Sequence, residues 1–150
     1  MSDTYTANFT EIHEPGGTFY VDSRAIGTYN TAWLSMRDHQ RAVFQLVVGE
    51  MQQAATLDMA IQQAQDVLGT GAKVFTPAKA ITQLTQAAGD GDDLVIVEVR
   101  TEEMDVNGQF DWIRGQVVIA GGAVEMALIP LRLASAYPPV PVTGWTEVVL

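Results

Sequence analysis

The sequence predicts an all-β fold, a jelly-roll-like β-sandwich carrying at most one or two short helices. Apolar, β-branched runs of strand length recur at residues 41–51, 94–99, 110–120 and 123–133, a composition that suits a pleated, half-buried surface. Clusters of glycine, aspartate and asparagine separate them, at Asp90-Gly91-Asp92-Asp93, Asn107-Gly108 and Gly121-Gly122. Such clusters supply the backbone freedom that tight turns need. The chain has 150 residues and no repeat, linker or low-complexity tract to split it, and that length makes one domain able to bury a core. Short strands between turn signals in one continuous chain are the pattern of a sandwich.

Residues 1–32 are polar and turn-rich and are broken by Pro15-Gly16-Gly17. A single domain spanning 1–150 is expected, with about residues 1–30 as an extended N-terminal arm. Thr18-Phe19-Tyr20-Val21 reads as a short strand within that arm, and residues 32–34 as the opening of the next element. Residues 41–51 are the clearest strand. Val43, Gln45 and Val47 fall on one side and Phe44, Leu46 and Val48 on the other. Nearly both faces are apolar, which places the strand in a sandwich interior or under a partner.

Residues 54–68 read two ways. Leu57, Met59 and Ile61 recur at period two, as in a strand. Leu57, Ile61, Ala64 and Leu68 also form a helical stripe ending at Gly69, and Ala and Gln favour helix. In the stretch 76–84, Thr76 can cap and Pro77 suits the first helical position, while Ile81 and Leu84 are three apart. That pattern predicts a short helix.

Residues 94–99 have the composition of a buried strand, and residues 102–109 form a loop containing the strong turn signal Asn107-Gly108. Residues 110–120 alternate, with Phe110, Trp112, Arg114, Gln116 and Val118 against Asp111, Ile113, Val117 and Ile119, and Gly115 permits a bend or bulge. In the strand 123–133, Pro130 argues for a sheet edge or a bulge. Residues 137–150, beginning Tyr137-Pro138-Pro139-Val140-Pro141, are expected as an extended C-terminal arm. The core expected from these strands holds Val43, Leu46, Val48, Val95, Val97, Val99, Val117, Ile119, Leu128 and Leu131.

Charge narrows the partners. Eighteen acids against eight bases give a formal net charge of −10, and nucleic-acid binders need clustered Lys and Arg to neutralise phosphates. Arg37 and Arg41 are the only close basic pair and enclose Asp38, so a solvated turn or a subunit salt bridge is expected rather than a phosphate contact. No apolar run approaches the roughly 20 residues that span a bilayer. The first residues lack the basic and apolar regions of a signal peptide.

Catalytic motifs are missing from the sequence. His13 and His39 are the only histidines and there is no cysteine, so neither a transition-metal site nor a cofactor is expected. His39, in a charged turn, reads as a surface or interface histidine. None of Ser2, Ser23, Ser35 and Ser135 sits in a GxSxG elbow. Asp90-Gly91-Asp92-Asp93 resembles half of a calcium loop but lacks the spaced ligands and the terminal Glu. Glu102, Glu103 and Asp105 are near enough in sequence to pair for glycoside chemistry, yet a solvated loop or a partner contact is the expectation. Gly69-Thr70-Gly71-Ala72-Lys73 lacks the spacing of a phosphate loop.

Three segments carry a family resemblance. They are residues 33–51, including Arg37-Asp38-His39-Gln40-Arg41; residues 63–73, with Gln65-Asp66-Val67-Leu68-Gly69, running on into 79–85; and residues 97–114, including Asp105-Val106-Asn107-Gly108-Gln109-Phe110-Asp111-Trp112. Together they resemble small virion proteins from the structural gene modules of tailed bacteriophages. The similarity covers most of residues 30–143, through Pro138-Pro139-Val140-Pro141-Val142-Thr143; the first 30 residues are more particular to this chain. The resemblance favours a strand over residues 54–68. It implies a non-enzymatic capsid decoration, or cement, protein, with a head-tail joint or tail adaptor as the alternative. The implied partners are the major capsid protein and further copies of the chain, with a trimer suggested by analogy, and the implied location is the virion, assembled in the host cytoplasm. No catalytic motif comes with it. The expected interface residues are Arg37, His39, Arg41, Tyr137, Trp145, Val148, Val149 and Leu150.

Overall fold

The computed structural model describes residues 13–135. Eleven strands run in chain order: β1 (Glu14–Pro15), β2 (Phe19–Arg24), β3 (Gly27–Asn30), β4 (Leu34–Ser35), β5 (His39–Met51), β6 (Thr56–Ala64), β7 (Lys73–Val74), β8 (Leu84–Thr85), β9 (Leu94–Arg100), β10 (Trp112–Ala120) and β11 (Val124–Ser135). The first sheet has the order β1-β11-β5-β9, with β2 also on β11; the second has the order β3-β10-β6-β7, with β4 also on β10 and β8 also on β6. All pairings are antiparallel. Because β1 and β2 share one edge of β11, β3 and β4 one edge of β10, and β7 and β8 one edge of β6, each sheet has four strand positions. The chain changes sheet after β2, β4, β5, β8, β9 and β10. That winding is the double Greek key of a jelly roll, and the fold is an all-β sandwich.

Alternation along each strand builds the core. In β5 the side chains of Ala42, Phe44, Leu46 and Val48 point inward; in β6 Leu57, Met59 and Ile61; in β10 Ile113, Val117 and Ile119. These residues belong to one hydrophobic cluster shared by both sheets, the expected result of stacking two pleated faces. Of the ten core residues expected from sequence, eight are buried, whereas Val43 and Val95 are only partly so. Val43 lies on the outer side of the first sheet, opposite in parity to Phe44. Val95 packs against the rim of the cluster.

The strand reading of residues 54–68 holds for β6. Its nine residues pair with β10 throughout, from Thr56↔Ala120 to Ala64↔Trp112, and this ladder overrides the helix propensity of Ala and Gln. The helix expected over 76–84 does not form. Lys79 and Ala80 lie along the edge of β6: the Ile61 N–H donates to the Lys79 carbonyl at 2.8 Å, and the Ile81 N–H donates to the Met59 carbonyl at 2.9 Å. An edge strand with unpaired groups captures the segment as extended chain. Among the described residues the helical turns are 3-10, at Gln86–Ala88 and Thr101–Glu103.

Pro130 is not at a sheet edge, because β11 is an interior strand between β5 and the β1/β2 pair. The Pro130 carbonyl accepts from the Gly16 N–H at 3.2 Å, on the side where β2 ends at Leu128↔Phe19 and β1 begins at Leu131↔Pro15. N–H and C=O of one strand residue point to the same side. The missing proline donor thus falls in the gap between two partner strands. Gly115 marks no bulge either, since the β10–β6 register is continuous across Gly115↔Ile61. A Cβ there would stand 3.2 Å from both the Phe44 ring and Leu128, so the glycine lets the sheets close over Phe44. The loop holding Asn107-Gly108 joins β9 to β10, which lie in different sheets, and is not a hairpin. Residues 14–30, expected within an arm, supply β1 to β3 of the two sheets.

Candidate functional site

Register assembles a basic rim at one end of the sandwich. β5 enters at His39, and its pairing with β9 sets Arg41 directly opposite Arg100. Like charges in that position repel. Glu98, two residues before Arg100 and on the same face, bridges them, at 3.6 Å from Arg41 and 3.8 Å from Arg100. Arg100 also meets Glu102 at 3.5 Å. Arg37, in the turn before β5, pairs with Asp111. These exposed pairs are held in high dielectric and add little stability. Their effect is to hold three of the six arginines around one open groove of about 520 Å³, lined by Arg37, His39, Gln40, Arg41, Arg100, Thr101 and Glu102. A second depression, of about 530 Å³, shares Arg37 and Thr101 and adds Met36, Val106, Phe110 and Asp111.

The groove contains the three interface residues expected from sequence within the described region, Arg37, His39 and Arg41. Tyr137, Trp145, Val148, Val149 and Leu150 lie outside the described residues. Arg100, Thr101, Glu98 and Asp111 were not expected there. No local pattern could have found Arg100, since only the antiparallel register brings it to Arg41. Thr101 closes the wall by donating its hydroxyl to the His39 carbonyl at 2.6 Å.

His39 is buried rather than exposed, with 8% of its surface accessible. Neither ring nitrogen has a hydrogen-bond partner, although Nε2 stands 3.8 Å from a Glu14 carboxylate oxygen. Burial, and then the neighbouring Arg132, hold the imidazole below its ordinary value of 6.5 against the opposing pull of Glu14 and Asp38. Arg132 itself pairs with Glu14 at 3.0 Å. The folded chain therefore takes this proton less readily than the unfolded chain, and stability rises with pH through this group. The contribution is complete above about pH 6.5 and is lost as pH falls through the depressed folded value. His39→Gln is expected to flatten the decline in melting temperature between about pH 7 and about pH 5.5. Equal slopes for variant and parent would show that His39 does not cause the decline.

The loop acids are engaged individually. Glu103 accepts from Lys79 at 2.7 Å and from the Arg100 N–H at 2.8 Å, and these bonds hold its carboxyl below the usual range. Asp105 is lowered by Lys73 and by the Gly108 N–H. Asp66 accepts from the Thr70 hydroxyl at 2.6 Å and from the N–H groups of Thr70 and Leu68, which close the turn after β6 and lower its carboxyl. Asp90 accepts from the Thr85 N–H at 2.8 Å. Glu103 and Asp105, still partly exposed, thus brace the β9–β10 loop to the second sheet. Among the described residues, no group of three or more His, Cys, Asp or Glu is placed to hold a metal ion, and no helix is long and apolar enough to cross a membrane.

The fold and groove define an all-β jelly-roll protein with an open, arginine-rimmed depression. No protein-family model matches the chain, and no curated protein matches it. Solved structures of infectious bursal disease virus, Gx and Gt strains, contain chains that are 16% identical, with TM-scores of 0.43 and 0.42. The matches cover 85% and 84% of this chain but 35% of each of those chains, so this chain spans about a third of their length. A likeness of that size leaves function to be argued from the chain's own residues.

Proposed function

We propose that the chain is a non-enzymatic structural protein of a tailed-phage particle. In this reading it decorates the capsid shell as a cement protein, as a single domain with terminal arms. A jelly roll alone hosts many functions. The observation that carries the reading is how the polar groups are used. Glu103, Asp105, Asp66 and Asp90 are each committed to a bond that holds the fold, and the arginines surround an open groove rather than a closed cleft. An open, charged depression is suited to a macromolecular surface; small-molecule sites are concave and mostly apolar. The sequence resemblance supports the major capsid protein as that surface, and a site of local threefold symmetry as the place where copies gather.

Copy number tests this. Densitometry of purified particles is expected to give on the order of hundreds of copies, as a closed shell requires, whereas about six or about twelve would assign the protein to a ring at the head-tail joint or tail and overturn the shell reading. Deleting residues 138–150 is expected to lower particle occupancy while leaving the circular dichroism spectrum of the sandwich intact. Full occupancy by the truncated chain would remove the C-terminal arm from the interface.

A further inference from the structure

We propose that the outer face of the first sheet is a self-association surface on which two copies of this chain pack antiparallel about a twofold axis. Alternation turns Val43 and Val47 of β5, Ile129 of β11, and Leu94 and Ile96 of β9 away from the core, and Ala127, on the same side of β11, is itself buried at 5% exposure. Register aligns Leu94, Val47 and Ala127 in one row, and Ile96, Gln45 and Ile129 in the next. Val21 of β2, on the other side of β11, is 78% exposed; Leu94 is 69% exposed and Ile96 59%. Val47, Leu94, Ile96 and Ile129 are exposed together on the three adjacent strands β5, β9 and β11, which is more than scattered surface hydrophobics.

The charges at the two ends of this face identify the occupant. Arg41 and Arg100 stand together where β5 begins and β9 ends. At the opposite end, Glu50, Asp92 and Glu125 line one open depression, and the Glu125 side chain lies over Gly49, whose Cβ position is 3.2 Å from the Glu125 Cβ. Along the strands the face therefore runs from a net basic end, where Glu98 bridges Arg41 and Arg100, through the apolar rows to an acidic end. A twofold axis lying between two such faces and running across the strands reverses the second copy. Arg41 then meets Glu125 of the second copy, Arg100 meets its Asp92, and the central row of Ile96 and Ile129 meets itself. An axis along the strands would instead stack the arginines on one another. The surface is thus complementary to itself in one orientation, which is the requirement for an isologous dimer.

Strand spacing and rise give this face a footprint of about 450 Å², below the roughly 800 Å² per partner of a standard interface. The pair is accordingly reversible and forms at micromolar concentrations. It does not depend on the particle reading and is measurable with no particle present; Arg41 and Arg100 also line the groove, so a second copy and a particle surface would compete for them.

Sedimentation velocity of the full-length chain tests the proposal across a micromolar concentration series. The parent is expected to be a reversible dimer. Ile96→Asp, on an exposed position, is expected to be monomeric throughout with an unchanged circular dichroism spectrum and melting curve. Arg41→Glu and Glu125→Arg are each expected to weaken the dimer about tenfold or more, because each places like charges at both symmetric contacts. An equimolar mixture of these two variants is expected to restore a dimer, since both contacts of the mixed pair join opposite charges. A monomeric or trimeric parent would overturn the proposal. So would a mixture that associates no better than its components. Appearance of a dimer only after deletion of residues 138–150 would overturn it as well, and would assign the face to the chain's own C-terminal residues.

Discussion

Val97→Asp is expected to leave the chain unfolded at room temperature. Val97 sits in β9 directly opposite Phe44, is buried, and belongs to the hydrophobic cluster between the sheets. Its neighbours in that cluster, Phe44, Leu46 and Val99, offer a carboxylate no donor. The substitution removes the burial of a valine and adds an unpaired acid, which protonates or draws in water; together these cost several kcal/mol. A domain of this size has about 5–15 kcal/mol in total. Ile96→Asp is the control: it is the adjacent residue on the same strand, on the outer face. Far-UV circular dichroism and urea titration of the two variants separate face from strand. A cooperative transition in Val97→Asp near that of the parent would mean that β9 does not close the core.

The second large effect is expected at Gly121→Ala. Gly121 has φ +74° in the turn joining β10 to β11, and a Cβ there would lie 1.9 Å from the carbonyl oxygen of Ala54. Ala54 is itself in the left-handed region, at φ 63°, in the turn joining β5 to β6. The two turns interlock: the Gln52 N–H donates to the Ala123 carbonyl at 2.9 Å, and the Ala123 N–H donates to the Gln52 side-chain oxygen at 3.1 Å. Relieving the clash requires one backbone to move and these bonds to stretch. With the left-handed penalty of about 1–2 kcal/mol, a total near 3 kcal/mol and a melting temperature lower by roughly 10 °C are expected. Gly89 isolates the conformational part, since its φ is +82° but nothing lies within 4 Å of its Cβ position. Gly89→Ala should cost only about 1 kcal/mol. Equal losses at the two positions would show that the interlock contributes nothing.

Strands β5, β9 and β10 are legible because side chains alternate with period two and the sandwich buries one parity of each, whereas β11, with Ala127 and Leu131 buried beside Met126 and Leu128, is legible from its apolar run between turns. Gln45, Gln116 and Arg114 on the outer parity, beside buried Phe44, Val117 and Ile113, are that rule at work. Residues 54–68 carried both periods, and the choice fell to a neighbour: β6 is a strand because β10 offers it an unbroken ladder. In the run from Thr76 to Leu84 the capping signal is likewise outweighed by the open edge of β6. Proline does need a place without a ladder partner, but that place can be a gap between β1 and β2 rather than a sheet edge.

The candidate site was half visible. Arg37, His39 and Arg41 are close in sequence and stood out as charge in an otherwise apolar stretch, whereas their counterparts Arg100, Thr101 and Asp111 come from residues more than fifty positions away. The sequence by itself determined the class of fold, the strand character of the long apolar runs and the acidic balance, because each depends on composition and on neighbours within a few residues. The tertiary structure alone decided which strands pair, that Val43 and Ile96 face outward, and that a buried His39 lines one groove with Arg37, Arg41 and Arg100. Those outcomes depend on register between distant segments, and a shift of one residue in register would exchange every inward side chain for an outward one.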